Sequence, residues 1–319
     1  MALTALNARP GITIPIGENG FTIYYYAIVI VFGILCAAGV VALLFKRRNI
    51  PADWTLDFLL CVLPLGIVGA RTFSVLTDPN SSITEWFTGF RSGGLSIIGG
   101  IIGGALGVIL FCVIHRINFL RVADCLVPGV ALAQGIGRWG NFFNQEVYGP
   151  LITNPSLQWF PLAVQIGDEW HAAFFFYESV LDILLFVVLF TLMWKFLKKP
   201  HGLSAGIYLA WYGIVRSIME PLRDSEYILG HDIPISLVFA VLMAACGIIL
   251  ILSVLLYNRN KYGSATGAVV GEPLAILPAY YTAEQRKEMA KKAEAESSKE
   301  HAGKKDEEPP EEDGEGKDV

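Results

Sequence analysis

The chain has 319 residues, of which 54% are hydrophobic and 17% are charged, and its mean hydropathy is +0.51. Soluble globular proteins have about 25% charged residues, so the composition argues against a water-soluble enzyme or a disordered chain and indicates a protein embedded in lipid. The net charge of −5 arises from residues 282–319, which hold thirteen of the 29 acidic and eight of the 24 basic residues, and the neutral remainder offers no basic surface for nucleic acid.

Seven apolar segments follow one another along the chain, and a helix needs about 20 apolar residues to cross a bilayer core. The first, third and seventh satisfy this requirement without a charged residue, whereas the other four are shorter or contain acidic residues. The predicted spans are 24–45, 56–70 with a continuation towards residue 76, 97–114, 122–137, 173–196, 206–219 and 235–257. The sequence therefore predicts an all-α polytopic integral membrane protein with about seven transmembrane helices.

Basic residues follow the odd-numbered spans, as Lys46, Arg47, Arg48, Arg116, Arg121, Lys195, Lys198, Lys199, Arg259 and Lys261. Because cytoplasmic loops are enriched in lysine and arginine, we expect the N-terminus outside and the C-terminus in the cytoplasm. The remaining arginines of the body then lie near the outer face, as Arg71, Arg91, Arg138, Arg216 and Arg223. Cations placed there at a cost favour an anionic ligand in the outer leaflet.

The chain divides into a predicted transmembrane catalytic domain, residues 1–262, and a charged tail, residues 263–319. The tail is rich first in Gly, Ala and Pro and then in Lys and Glu, so it is expected to be a disordered cytoplasmic segment with a short helix near residues 284–296. Binding of a partner and simple solvation both fit this composition.

The densest polar motif is Gly137-Arg138-Trp139-Gly140-Asn141-Phe142-Phe143-Asn144-Gln145-Glu146-Val147-Tyr148-Gly149, just after the fourth span. Placing so many polar groups near lipid is costly unless they bind one another or a ligand. Arg138 offers a planar set of donors suited to phosphate. Asn141 and Asn144 can hydrogen-bond glycerol or ester oxygens, and Glu146 can orient Arg138 or accept a proton. The alternative is a capped, hydrogen-bonded interfacial loop.

A second cluster comprises Arg216, Glu220 and Arg223, which share one helix face by their spacing. Pro221 can interrupt the helix there. One arginine can simply balance Glu220, but two arginines around one carboxylate leave a positive charge that favours a further anion.

Other polar positions have structural interpretations beside the functional ones. The tyrosines that open the first span are typical of an aromatic belt, Glu178 and Asp182 can pair with a neighbouring arginine, and the glycines of residues 93–107 favour close helix packing. His171 and His231 are isolated histidines. The five cysteines form no CxxC pair, so the sequence predicts neither a metal site nor a cofactor.

The motif Gly137-Arg138-x-Gly-Asn141-Phe-x-Asn144-x-Glu146-x-x-Gly149 closely resembles the signature of the bacterial prolipoprotein diacylglyceryl transferase family. The resemblance covers about residues 20–257. It includes residues 23–26, Gly69-Ala70-Arg71, Gly93-Gly94-Leu95-Ser96, Asp124, Pro128, Tyr177-Glu178-Ser179, Arg216 and Glu220.

The resemblance implies transfer of the diacylglyceryl group of phosphatidylglycerol to the lipobox cysteine of a preprolipoprotein, with release of glycerol phosphate, in the bacterial cytoplasmic membrane. It implies that Arg138 and Arg216 hold the phosphate and that Glu220 positions Arg216. It further implies that Asn141, Asn144, Glu146 and Gly149 form the headgroup pocket and that Tyr26 is catalytically important.

The chain departs from the family pattern at Ile98, where many members have a histidine. Isoleucine cannot accept a proton, so Tyr26, Glu146 and His171 remain candidates for the base that deprotonates the substrate thiol. A transporter or flippase for an anionic lipid or solute is the competing interpretation, because charges at membrane depth also line transport pathways.

Overall fold

A computed structural model of the chain describes residues 11–15, 21–78, 83–88, 95–146, 148–195, 200–222, 228–229 and 233–262. Several positions named above lie outside the described residues, namely Arg91, Gly93, Gly94, Val147, Lys198, Lys199, Arg223, His231 and the tail from Gly263.

The described residues form eight helices and three antiparallel strand pairs. The helices are α1 (Tyr25–Arg47), α2 (Trp54–Thr77), α3 (Ile83–Thr88), α4 (Ile97–Ile114), α5 (Phe119–Asn144), α6 (Phe174–Lys195), α7 (Leu203–Met219) and α8 (Ile235–Tyr262). The pairs join β1 (Gly11–Ile14) to β2 (Phe21–Tyr24), β3 (Ala163–Ile166) to β4 (Glu169–Ala172), and β5 (Ile228–Leu229) to β6 (Ile233–Pro234).

Each of the seven predicted spans is a helix in the structure. Six described helices are long and apolar enough to cross a membrane, and α7, with 17 residues, is the shorter seventh. The prediction of an all-α polytopic membrane protein is therefore confirmed.

Helix α5 is longer than the predicted fourth span. The side chain of Asn118 accepts hydrogen bonds from the backbone N–H groups of Leu120 and Arg121 and so caps the first turn. The helix ends at Asn144 and is followed by the C-cap residue Gln145, whose φ of 55° is left-handed. As a result, Arg138 and Asn141 lie on the last turns of a helix and not in a loop.

The glycine-rich run packs α4 closely against α2. A Cβ atom at Gly103 would meet the backbone of Leu65, and one at Gly99 would meet the backbone of Gly69. The backbones approach closely because neither position has a side chain, as expected of GxxxG spacing. The interpretation of this run as a packing motif is confirmed.

Asp124 has a structural role in the bundle. Its carboxylate, fully buried on α5, accepts hydrogen bonds from the N–H groups of Gly202 and Ala205 at 2.8 and 2.9 Å. These two groups open α7, so an acid of one helix caps the N-terminus of another and complements its dipole. This contact fixes α7 against α5 and thereby sets the position of Arg216 relative to Arg138.

The ends of α1, α4 and α6 lie together at one end of the bundle. The rings of Phe45 and Phe111 stack with centroids 6.2 Å apart, and the guanidinium of Arg47 lies 5.4 Å from the ring of Trp194. The first turns of α1 and α6 and the last turns of α5 and α7 therefore meet at the opposite end. That end contains the polar residues of both predicted clusters.

Candidate active site

Three helices bring a group of charged side chains together, and Glu178 on α6 lies between two arginines. Its Oε2 atom is 2.9 Å from Nη1 of Arg138 on α5, and its Oε1 atom is 3.9 Å from Nη1 of Arg216 on α7. The Glu178 side chain is only 3% exposed. The two predicted arginine clusters are thus one site, which we call the arginine–carboxylate cluster: Arg138, Glu178, Asp182, Arg216 and Glu220.

Asp182 adds a carboxylate one turn further along α6. Its Oδ2 atom lies 3.5 Å from Nε of Arg138, and its side chain is 4% exposed. The sequence alone suggested two arginines, Arg216 and Arg223, around Glu220, and Arg223 lies outside the described residues. Among the described residues of the cluster, Arg138 and Arg216 face three carboxylates, because α6 contributes Glu178 and Asp182.

Arg216 and Glu220 form an ion pair, with 2.8 Å between Nη2 and Oε2. Helix α7 ends at Met219 and continues as a 3₁₀ turn, Glu220–Leu222, that contains Pro221. The hydroxyl of Ser236, at the start of α8, donates a hydrogen bond to Oε1 of Glu220. Both oxygens of this buried carboxylate are therefore engaged, and the predicted pairing of Glu220 with Arg216 is confirmed.

Tyr26 lies in the first turn of α1, and its ring packs directly over Gly140 on α5. A Cβ atom at Gly140 would be only 2.6 Å from Cδ2 of this ring. The Tyr26 hydroxyl group is within electrostatic range of both Arg138 and Glu146. The absence of a side chain at Gly140 thus places the Tyr26 ring next to the arginine–carboxylate cluster.

The polar residues at the end of α5 form a second, more exposed layer. The amide nitrogen of Asn144 donates to Oε1 of Glu146 at 3.2 Å, and the N–H group of Glu146 donates to the carbonyl of Asn141 at 3.0 Å. Asn141 is half-buried, whereas Asn144 and Glu146 are exposed. The acids that pair with Arg138 belong to α6, and Glu146 instead accepts from Asn144.

Gly149 is held in a tight packing position. Its N–H group donates to the carbonyl of Ala172 at 3.0 Å, and an added Cβ atom would be 2.5 Å from the ring of Phe174. His171 lies alongside, with Nδ1 at 3.2 Å from the Gly149 carbonyl and Nε2 at 3.4 Å from Oε2 of Glu169. One ring nitrogen of this histidine thus faces the Gly149 carbonyl, and the other faces Glu169 of β4.

Sequence reasoning missed a polar column that continues from the cluster along α5 and α7. The hydroxyl of Tyr208 donates to Oε1 of Gln134 at 3.0 Å, and the ring of Tyr208 stacks on Tyr212 with centroids 6.0 Å apart. Gln134 precedes Arg138 by four residues, and Tyr208, Tyr212 and Arg216 recur at four-residue intervals. This i, i+4, i+8 row was the signal that would have identified the column.

Trp139 and Ser179 were also missed as positioning residues. The indole N–H of Trp139 donates to the Ser179 hydroxyl at 3.2 Å, and that hydroxyl donates to the carbonyl of Gly135 at 2.7 Å. These bonds link α5 to α6 beside Arg138 and Glu178 and hold the two helices in register. No three His, Cys, Asp or Glu side chains of the described residues are grouped as metal ligands.

The fold and the site define a polytopic membrane protein with half-buried arginines and buried acids at one end of its bundle, as suits an enzyme or carrier of anionic lipids. The profile of the family described as prolipoprotein diacylglyceryl transferase matches residues 13–253. The chain belongs to the prolipoprotein diacylglyceryl transferase family.

Individual relatives agree with this assignment. The chain is 34% identical over 249 residues to phosphatidylglycerol–prolipoprotein diacylglyceryl transferase 1 of Clostridium perfringens. The matched region covers 76% of this chain and 94% of the relative. It is 36% identical over 253 residues to the Streptococcus agalactiae transferase, covering 76% and 93%. It is also 36% identical over 262 residues to the Enterococcus faecalis transferase, covering 76% and 92%. The family suggested by the sequence motifs is confirmed, and the chain is a bacterial membrane protein.

Proposed function

We propose that this protein transfers the diacylglyceryl group of phosphatidylglycerol to the lipobox cysteine of preprolipoproteins and releases glycerol phosphate. Membership of the family and the names of the relatives support this reaction. The single observation that carries the proposal for the site is Glu178, whose two oxygens face the guanidiniums of Arg138 and Arg216. A phosphate that contacts both arginines would lie at the end of the bundle where α5 and α7 terminate.

The chemistry requires that a sulfur–carbon bond forms while a carbon–oxygen bond breaks. The thiolate of the substrate attacks the carbon of the diacylglyceryl group that is bonded to the phosphate oxygen. The electron pair of the broken carbon–oxygen bond stays on that oxygen, which leaves with the glycerol phosphate. Charge therefore develops on the leaving glycerol phosphate, where fixed guanidinium donors stabilise it most effectively. The proton of the thiol passes to a base, for which Tyr26, Glu146 and His171 are the candidates.

The other site residues support this arrangement in our proposal. Glu220 positions Arg216 through its 2.8 Å ion pair. Asn141 and Asn144 offer amide groups to the glycerol headgroup, Glu146 orients Asn144, and Gly149 shapes the pocket wall beside Phe174.

The Gly140→Ala variant is expected to lose about tenfold in transfer rate, because the new methyl group displaces the ring of Tyr26 and small misplacements are costly in active sites. The rate is measured with purified protein in detergent. The matched control is Gly39→Ala on α1, where an added methyl group meets no atom within 4 Å. Equal activity of Gly140→Ala and wild type would show that the placement of Tyr26 does not matter.

We also propose that the active site faces the outer leaflet, with the N-terminus outside and the tail of residues 263–319 in the cytoplasm as a separate segment. The positive-inside rule supports this orientation, because the arginines that end α1 lie at the bundle end opposite to the site. A protease added to intact cells is expected to leave the tail uncut and to cut it once the membrane is permeabilised. Cleavage of the tail in intact cells would contradict this topology.

The function is tested by incubating the purified protein with phosphatidylglycerol vesicles and a lipobox peptide. The expected result is a peptide mass gain of one diacylglyceryl unit together with release of glycerol phosphate. A peptide whose cysteine is replaced by serine is the control and should stay unmodified. Absence of the mass gain, under conditions in which a related enzyme transfers, would contradict the proposal.

A further inference from the structure

The arginine–carboxylate cluster has an unexpected charge balance for an anion site. Arg138 and Arg216 contribute two positive charges, and Glu178, Asp182 and Glu220 contribute three negative charges when all are ionised. Two of these acids pair with the arginines, since Glu178 lies between Arg138 and Arg216 and Glu220 forms an ion pair with Arg216. Asp182 is the additional acid.

Of the three carboxylates, Asp182 lies furthest from its arginine. Its contact with Arg138 spans 3.5 Å, whereas Glu178 and Glu220 approach their arginines to 2.9 and 2.8 Å. Asp182 faces Arg138 of α5 and lies within the electrostatic range of Glu178 and Arg216. No further acid follows it on α6. Among the described residues, further titratable groups nearby are Tyr208 of α7, which interacts with Asp182, Tyr212 of α7, which interacts with Arg138, and Tyr26 of α1, which also interacts with Arg138. The buried negative charge of Asp182 therefore lies beside both arginines and also acts on an anion that binds them.

Substrate and product differ in charge at this position. The phosphodiester of phosphatidylglycerol carries one negative charge, whereas the released glycerol phosphate is a monoester that carries about two at neutral pH. Guanidiniums alone would hold the more highly charged product more tightly than the substrate and would slow its release. A fixed negative charge beside them has the opposite effect, because its repulsion of a dianion is twice its repulsion of a monoanion.

We propose that Asp182 is a specificity-determining residue, whose negative charge makes the site discriminate against doubly charged glycerol phosphate and so promotes product release. This proposal rests on the proposed function, since that reaction defines the substrate and the product. It assigns to the third carboxylate a role in specificity that is separate from holding Arg138.

The test is equilibrium binding to purified wild type and Asp182→Asn at about pH 8, where the phosphate monoester carries about two negative charges. The two ligands are glycerol phosphate and its monomethyl ester, a diester with a single charge. Asparagine keeps the shape of the side chain and removes only the charge. We expect the variant to bind the monomethyl ester about threefold and glycerol phosphate about tenfold more tightly, because the fold-change for a double charge is about the square of that for a single one.

Two further variants separate charge from structure. Asp182→Glu keeps the charge and should retain the wild-type ratio of the two affinities. Asp57→Asn removes an acid beside His115, at the start of α2, and should leave both affinities unchanged. In the transfer assay, Asp182→Asn should show stronger product inhibition than wild type.

Unchanged or weakened binding of glycerol phosphate by Asp182→Asn would overturn the inference, as would a wild type that prefers the dianion to the monomethyl ester. A merely structural role for Asp182 predicts weaker binding of both ligands. Because these are binding measurements, they are distinct from the transfer assay. An unchanged ratio of the two affinities in Asp182→Asn contradicts the role of Asp182, whereas absence of peptide modification contradicts the proposed function.

Discussion

The Arg138→Ala variant is expected to transfer diacylglyceryl groups about a thousandfold more slowly than wild type. Removing one fixed donor from a developing oxyanion typically costs a factor of about 10² to 10³. Here the substitution also deprives Glu178 and Asp182 of their nearest cation, which leaves two buried acids that repel the substrate phosphate. Both effects act in the same direction, so this is the largest loss that we expect.

Arg138→Lys should recover only a small part of this activity, because an ammonium group lacks the planar donors that contact Glu178 and Asp182 together. The control is Arg259→Ala, which removes an exposed arginine near the end of α8. Transfer is measured with labelled phosphatidylglycerol, and the amount of membrane-inserted protein is measured in parallel. Full activity of well-inserted Arg138→Ala would show that the site lies elsewhere.

The Arg216→Ala variant is expected to lose about a hundredfold in transfer efficiency, because it removes one of the two guanidiniums that we propose to contact the phosphate. Glu220→Gln should cost about tenfold, since it weakens the 2.8 Å pair that positions Arg216 but leaves the arginine present.

The double variant distinguishes a positioning role for Glu220 from a direct one. If Glu220 acts only through Arg216, then adding Glu220→Gln to Arg216→Ala should cause little further loss, because effects of residues that act as a unit are not additive. Comparison of kcat/KM for the wild type, both single variants and the double variant gives the coupling. Fully additive losses would mean that Glu220 contributes independently of Arg216.

Much of the architecture is predictable from local sequence. Residues 24–45 and 97–114 contain no charged residue, and segments of this kind can satisfy their backbone hydrogen bonds in lipid only as helices. The pairing of Arg216 with Glu220 also follows from the sequence, because four-residue spacing places both on one helix face. The motif around Arg138 and Asn141 likewise identifies the family without reference to contacts between helices.

Contacts between helices were decided by the tertiary structure. Arg138 and Glu178 are forty residues apart in the chain, so no local spacing indicates that α5 and α6 place them 2.9 Å apart. The cap that Asp124 provides to α7 depends in the same way on two separate helices.

The sequence by itself therefore determined that the protein lies in a membrane and which segments form its long helices, because hydropathy encodes both directly. Its motifs, by their resemblance to a known family, also identified the family and the candidate arginines Arg138 and Arg216. Only the tertiary structure decided that both arginines share Glu178 and that Asp182 adds a third negative charge to the cluster. The physical reason is that electrostatic balance depends on distances between side chains of different helices. Those distances are set by packing contacts, such as Gly140 against Tyr26 and Trp139 against Ser179, that join residues remote in the chain.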